Sequence, residues 1–409
     1  MFDLKKVKKD FPIFDRLING KRIVYLDSTA STLKPRKVIS ALNDYYTRYS
    51  VNIFRGLYTL SEEATAEYEK ARQKIARFIG CGNPKEVIFV RNATEGVNLV
   101  AQAWGEINIG KGEEIVSTVM EHHANIVPWQ ELVKKKGAVL KFVDFDNEGY
   151  LDLNDLEKKI NRKTKLFAVT YMSNVLGTIN PVSRIIKTVR RINPQAKILI
   201  DAAQAVPHLK VDVDNLGCDF LVFSGHKMLG PTGIGVVWGK YELLDGMFPY
   251  QFGGDMIKEV YLDKTVYKEP PHKFEAGTPH IAGAIGLGAA VDYLFELGMD
   301  NVRLHEIKLT EYGLRSLKGI DGLTVYGPQK AQERGGVLAF NLKKVHPHDA
   351  AQVLNEDNVC IRSGHHCAMP VHTKLHIPAS CRASLYIYNT EEDIDQLVLS
   401  LQKAVKIFT

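Results

Sequence analysis

Six short apolar runs, at 87–90, 114–117, 139–143, 166–170, 197–200 and 220–223, each stop at a polar loop. Runs of this length, rich in β-branched and aromatic residues, read as buried strands. Between them lie helical spacings. Apolar residues at Ala64, Tyr68, Ala71, Ile75 and Phe78 keep one stripe, which predicts an amphipathic helix over 62–78. Strands alternating with helices in this way predict an α/β fold with a mostly parallel sheet, whose ligands bind at the carboxyl ends of the strands. An earlier short strand is expected at 23–26, and a helix opened by the loop 92–96 at 97–104.

The residues at those strand ends are Thr94, His122, Asn174, Asp201 and Lys227. Lys227 closes Ser224-Gly-His-Lys227 after an apolar run, where it is either one more solvated lysine or one whose partial desolvation favours the neutral amine and makes it a Schiff-base nucleophile towards an aldehyde cofactor. Ser224 and His226 offer donors suited to a phosphate. Thr94 stands where a helix N-terminus attracts an anion, or serves as a plain N-cap. The Asp201 carboxylate needs a partner, and a protonated pyridine nitrogen is one; a helix N-cap role is the alternative. Gln204 is placed to reach the same ligand. His122 stacks on a flat heterocycle or is an ordinary loop histidine, and adjacent His122 and His123 are poorly arranged for one metal ion.

A chain of 409 residues with 45% hydrophobic residues buries a large core with a smaller domain attached. The net charge of +6 is mild, and the basic stretches at 5–9 and 134–136 have no interleaved aromatics, so nucleic acid is not expected. No secretory leader is expected, and the weakly polar stretch 281–291 is too short to span a bilayer. Gly286-Leu-Gly-Ala-Ala290 suits close helix packing rather than a dinucleotide site. Five cysteines without C-x-x-C spacing indicate neither a disulfide framework nor a cysteine zinc site, and a reducing cytoplasm fits. Cys367 lies in the polar loop Gly364-His-His-Cys-Ala-Met-Pro370, accessible and near Arg362, whereas Cys360 and Cys381 read as buried.

Together, Asn92-Ala-Thr-Glu-Gly96, Glu121-His-His-Ala-Asn125, Asp201-Ala-Ala-Gln204, Ser224-Gly-His-Lys227, Gly230-Pro-Thr-Gly-Ile-Gly235, Phe274-Glu-Ala-Gly-Thr278, Arg362-Ser-Gly-His-His-Cys367 and Cys381-Arg-Ala-Ser384 resemble the SufS-type cysteine desulfurases. These are class V aminotransferases, pyridoxal 5'-phosphate (PLP) enzymes of fold type I. The resemblance implies a large domain with a mostly parallel seven-stranded sheet and a smaller α+β C-terminal domain. Its segments would be 1–22, packing on the small domain; 23–295, binding PLP; and 296–409, carrying the catalytic cysteine loop.

By the same resemblance, Lys227 carries the cofactor, Asp201 holds the pyridine nitrogen protonated, Gln204 bonds the ring hydroxyl and His122 stacks on the ring and moves protons. Thr94, Ser224 and His226 hold the phosphate, joined by Thr278 from the neighbouring subunit of a homodimer. Arg382 clamps the substrate carboxylate, with Asn174 and Arg362 beside it, and Cys367 takes the sulfur of L-cysteine as a persulfide, leaving alanine. The sulfur then passes to a SufE-like or SufU-like acceptor for iron–sulfur cluster assembly. No metal is implied. The chain departs from the family at Phe54 and Tyr58, where histidines are usual. Two alternatives stay open, a selenocysteine lyase or related lyase of the same fold, and a zinc-binding sulfur carrier using His365, His366 and Cys367.

Overall fold

A computed structural model describes residues 2–408. The six apolar runs form strands β1 (Val87–Val90), β2 (Glu114–Thr118), β3 (Val139–Val143), β4 (Thr164–Thr170), β5 (Lys197–Asp201) and β6 (Phe220–Ser224). A seventh strand, β7 (Gly235–Gly239), completes one sheet in the spatial order β1-β7-β6-β5-β4-β2-β3. Strand β7 runs antiparallel to both its neighbours, and every other pairing is parallel. Its Gly-Val-Val-Trp-Gly sequence is too short and too glycine-flanked to announce a strand. Burial explains why it is one: all five of its residues are inside, and Trp238 Nε1 donates to Glu86 at 3.0 Å.

Helices cover both faces of the sheet. Helix Thr59–Phe78 packs against helix Ile281–Leu297, whose glycine and alanine stripe permits the approach. A Cβ at Gly288 would stand 3.0 Å from Ala71 Cβ, and one at Gly286 2.6 Å from Pro231 Cγ. The expected packing stripe is therefore a close contact. The segment 92–96, expected as a loop, is instead a cap and first turn: Asn92 Oδ1 accepts from Glu95 N at 3.0 Å and the helix starts at Ala93. It continues through a π-helical turn, Val100–Gly105, to Asn108. Among the described residues no single helix is long and apolar enough to cross a membrane.

The C-terminal third forms a four-stranded antiparallel sheet in the order 323–326, 337–342, 380–384, 362–364. Helices Met299–Lys318 and Glu391–Phe408 pack on it through Leu314, Leu317, Ile394, Leu397 and Leu401. Asp393 Oδ2, in the first turn of the last helix, accepts from Thr390 N at 3.2 Å. The N-terminal segment joins this layer. Lys8 and Arg22 pair with Asp393, and Lys21 pairs with Asp357. Strand Val24–Tyr25 lies parallel to Val359–Cys360, and Asp27 bridges to Ser384, so pairing with the C-terminal layer runs past residue 23. The reason is that Val24 and Leu26 are completely inside and their amides find acceptors only there, on Asn358 O and Cys360 O.

Candidate active site

The carboxyl ends of β2, β4, β5 and β6 and the cysteine loop open on one cavity of about 350 Å³. Lys227 sits in the short 3₁₀ turn that follows β6. Burial pushes its pKa below the usual lysine range and Arg382 adds to this, while Asp201 and Cys367 pull it back. The turn is fixed from behind. The His226 carbonyl accepts from Thr32 N at 3.0 Å, Thr32 Oγ1 at 3.1 Å, Ser31 Oγ at 3.2 Å and Lys34 Nζ at 2.9 Å. Burial lowers Lys34 to about 7, and burial with Lys227 and Lys34 lowers His226 to about 4.

Thr94, in the first turn after Asn92, faces Ser224 and His226 across the cavity. Ser224 Oγ accepts from Ala93 N at 2.9 Å, which leaves its own proton to donate. With Ala93 N and Glu95 N already bonded, the Thr94 hydroxyl and the Ser224 proton at this helix start suit a phosphate. Asp201 closes β5, and its Oδ1 accepts from Ala203 N at 2.9 Å, so the carboxylate both caps a turn and lines the cavity. Burial raises its pKa, while the Ala203 amide and Lys227 pull it down. Gln204 donates Nε2 to Thr29 O at 2.8 Å, and its buried Oε1 has no partner.

His122 Nδ1 accepts from Ala124 N at 3.0 Å. Burial, with Lys227, His123 and Arg382 nearby, lowers the ring to about 3, so it is neutral with its proton on Nε2. Arg382 is buried. It donates to Asn174 O at 3.0 Å and to Asp27 Oδ1 at 3.2 Å, and its Nε is unpartnered. Arg362, half-exposed, holds the same Asp27 carboxylate at 3.0 Å.

Cys367 is exposed at the cavity wall and also borders a groove of about 560 Å³ along the 94–106 and 127–135 helices. His366 and Cys367 both take the left-handed backbone conformation, at φ 52° and 55°. Non-glycine residues hold that conformation only where surrounding contacts impose it. Here Asn174 Nδ2 donates to His366 O and His123 N to Cys367 O, both at 2.7 Å, and Met369 N donates to His123 Nε2 at 3.0 Å. His366 Nε2 faces Ser380 O and Oγ at 3.1 Å, so that nitrogen is already engaged and does not converge on Cys367 as a metal ligand.

Of the residues singled out in the sequence, Thr94, His122, Asn174, Asp201, Gln204, Ser224, His226, Lys227, Arg362, Cys367 and Arg382 meet on this cavity. Thr278 does not; it borders a different cavity, with Arg91, Glu95 and Tyr250. Phe54 packs edge-on against Tyr68 and His272, and Tyr58 is exposed. Cys381 is buried, but Cys360 is only partly so. Asp27, Thr29, Ser31 and Lys34 also build the site but carry no motif in the sequence, although Asp27 follows an apolar run as Asp201 does. The unpartnered Gln204 Oε1, the carboxylate of Asp201 and the donors at Thr94, Ser224 and His226 fit a ring hydroxyl, a protonated ring nitrogen and a phosphate, the three polar features of PLP.

The fold and this donor set define a class, and the sequence agrees: the aminotransferase class-V family model matches residues 24–397, and the chain belongs to that family. Within it, the chain is 51% identical to a protein named "Probable cysteine desulfurase" from Halalkalibacterium halodurans, over 98% of each chain. It is 47% identical to one of the same name from Streptomyces coelicolor, covering 100% of this chain and 98% of that one. Among solved structures it superposes on an apo cysteine desulfurase from Thermococcus onnurineus with a TM-score of 0.94 at 40% identity, over 99% of each chain. The cysteine desulfurase CsdA of Escherichia coli gives 0.92 at 33% identity, over 100% of each.

Proposed function

We propose that the chain is a PLP-dependent cysteine desulfurase that converts L-cysteine to L-alanine and leaves the sulfur as a persulfide on Cys367. The observation that carries this reading is one cavity bounded by the Lys227 amine, the Asp201 carboxylate and the exposed Cys367 thiol. PLP, when bound, supplies an electron sink for the carbanion formed at the substrate Cα. Lys227, whose neutral amine burial favours, would hold the cofactor and, once the substrate amine displaces it, would take the Cα proton and return it to that carbon as alanine forms. Asp201 would accept the ring N–H, Gln204 Oε1 the ring hydroxyl, and Thr94, Ser224 and His226 would hold the phosphate. Arg382, with its free Nε, binds the substrate carboxylate beside Asn174 and Arg362.

Cys367 Sγ attacks as the thiolate. A bond forms between it and the substrate sulfur as the carbon–sulfur bond breaks, the electron pair stays on carbon, and a proton converts that carbon to the methyl group of alanine. The His122 Nε2 proton, on a neutral ring that lines the cavity, would serve this transfer. We assign Thr278 to the active site of a second copy in a homodimer, a reading supported by its position away from this chain's own cavity and by exposed Phe252, Tyr261 and Leu262 nearby in sequence. The persulfide then passes in the cytoplasm to a SufE-like or SufU-like acceptor for iron–sulfur cluster assembly. The domain reading, a PLP-binding body to about 295 and a smaller one beyond, is supported by the two separate sheets.

Mass spectrometry after brief exposure to L-cysteine without reductant, with alanine assayed in the same tube, tests the reaction. The expected result is one extra sulfur on the peptide containing Cys367 together with alanine. Alanine with unmodified Cys367 removes that thiol from the mechanism, and neither product from PLP-loaded protein overturns the function.

A further inference from the structure

Glu121, immediately before His122, is completely buried and has no part in the steps above. Its Oε1 accepts from Thr118 Oγ1 at 2.6 Å and from Thr170 N at 2.9 Å; its Oε2 accepts from Asn125 Nδ2 at 2.6 Å. The role of each donor is forced. Thr118 Oγ1 already accepts from Met120 N at 3.1 Å, so its proton goes to Glu121. Trp129 Nε1, a donor only, bonds Asn125 Oδ1 at 2.9 Å, which turns the amide nitrogen of Asn125 towards the carboxylate. Glu121 is therefore an acceptor on both oxygens. Burial raises its pKa to about 8, and Asp201, at the end of β5 two strands away in the sheet, acts the same way, while Thr118, Asn125 and Thr170 oppose them.

These bonds tie three places together: the ends of β2 and β4 and the turn 121–125 that presents His122. We propose that Glu121 is a positioning residue for His122, the acceptor that sets the height and tilt of the imidazole above the cavity floor at Asp201. A buried carboxylate with three fixed donors has one orientation, and the next residue inherits it. The inference rests on the reading that His122 stacks on bound PLP.

The test compares three PLP-loaded proteins: the natural chain, Glu121→Gln, and Glu121→Gln with Asn125→Asp. In the single variant an amide NH₂ meets the Asn125 NH₂ and one bond is lost. In the double variant the glutamine amide donates to the new carboxylate, which still accepts from Trp129 Nε1, so every bond is restored with the charge moved one residue along the network. The readouts are PLP affinity and the visible circular dichroism of the bound cofactor, which reports ring orientation. The single variant is expected to bind PLP more weakly, by up to about tenfold where the full value of that bond goes into holding His122 against the ring, with an altered dichroism band. The double variant is expected to regain both.

A folded single variant with natural affinity and dichroism overturns the inference. So does a folded double variant no better than the single one. Should Glu121→Gln fail to fold, Trp129→Phe decides, because it removes the donor that orients Asn125. A weaker shift in the same direction supports the inference, and an unchanged band overturns it. Failure of the natural chain to take up PLP would instead overturn the functional reading on which this one stands.

Discussion

Lys227, Asp27 and His366 each turn a local geometry into a measurable outcome. Lys227→Ala is expected to abolish the visible absorption of covalently bound PLP and all alanine formation; retained alanine formation would exclude Lys227 as the proton acceptor. Asp27→Asn removes the carboxylate shared by Arg382 and Arg362. Arg362 is half-exposed and loses little, but Arg382 is buried, and the cost is expected at about 3 kcal/mol in a denaturant melt. His366 is lowered to about 2 by burial first, then by Arg382 and His372. Its folded pKa lies below its unfolded one, so its neutral form contributes stability that is complete above pH 6.5 and lost as pH falls. Between pH 6.5 and 5.5 the loss is about 1 kcal/mol, and stability of His366→Gln should vary less with pH by that amount. At this scale the sequence was legible where chemistry clusters along the chain, as in Ser224-Gly-His-Lys227. Asp27 was not legible, because its partners Arg362 and Arg382 are more than three hundred residues away and only the fold brings them together.

Strands β1 and β6 lead into the Thr94 and Ser224 side of the cavity with β7 between them, and their spacing depends on Gly235. A Cβ there would stand 2.7 Å from Asn92 Cα and 2.8 Å from Phe223 O, both backbone atoms that cannot step aside. Gly235→Ala is expected to push β7 from the Asn92 cap, costing about 1–3 kcal/mol and weakening PLP binding, as read by thermal melting and cofactor titration. Unchanged PLP affinity would show that the cap does not govern the cradle. The six strands with apolar runs were readable from sequence; five are buried along nearly their whole length, which demands such runs, while the edge strand β3 is part-exposed from Val139 to Phe142. Strand β7 was hidden: its antiparallel place between β1 and β6 is a tertiary fact, and glycine, usually a strand breaker, is required there by close backbone approach. Phe54, outside the cavity and packed on Tyr68 and His272, leads to a different expectation. Phe54→His should alter turnover or acceptor response while PLP stays bound; a large loss of cofactor would place that segment nearer the ring than it lies.

Across the whole molecule the ends of the chain meet. The N-terminal segment grips the C-terminal layer through Asp393, almost fully buried beneath Lys8 and Arg22, and through Phe11 against Tyr388. The strand Val24–Tyr25 has its partner at Val359–Cys360, and the Asp27 carboxylate has its arginines at 362 and 382. A ribosome adding 5–20 residues per second needs roughly twenty seconds to a minute to travel between those two strands. For that interval the strand Val24–Tyr25 is without its partner, while the parallel sheet behind it is already able to assemble. The wall of the cavity made by Thr29 and Ser31 thus waits for the last strand of the C-terminal layer, and a nascent chain released before Ser384 carries Lys227 with that wall unsupported.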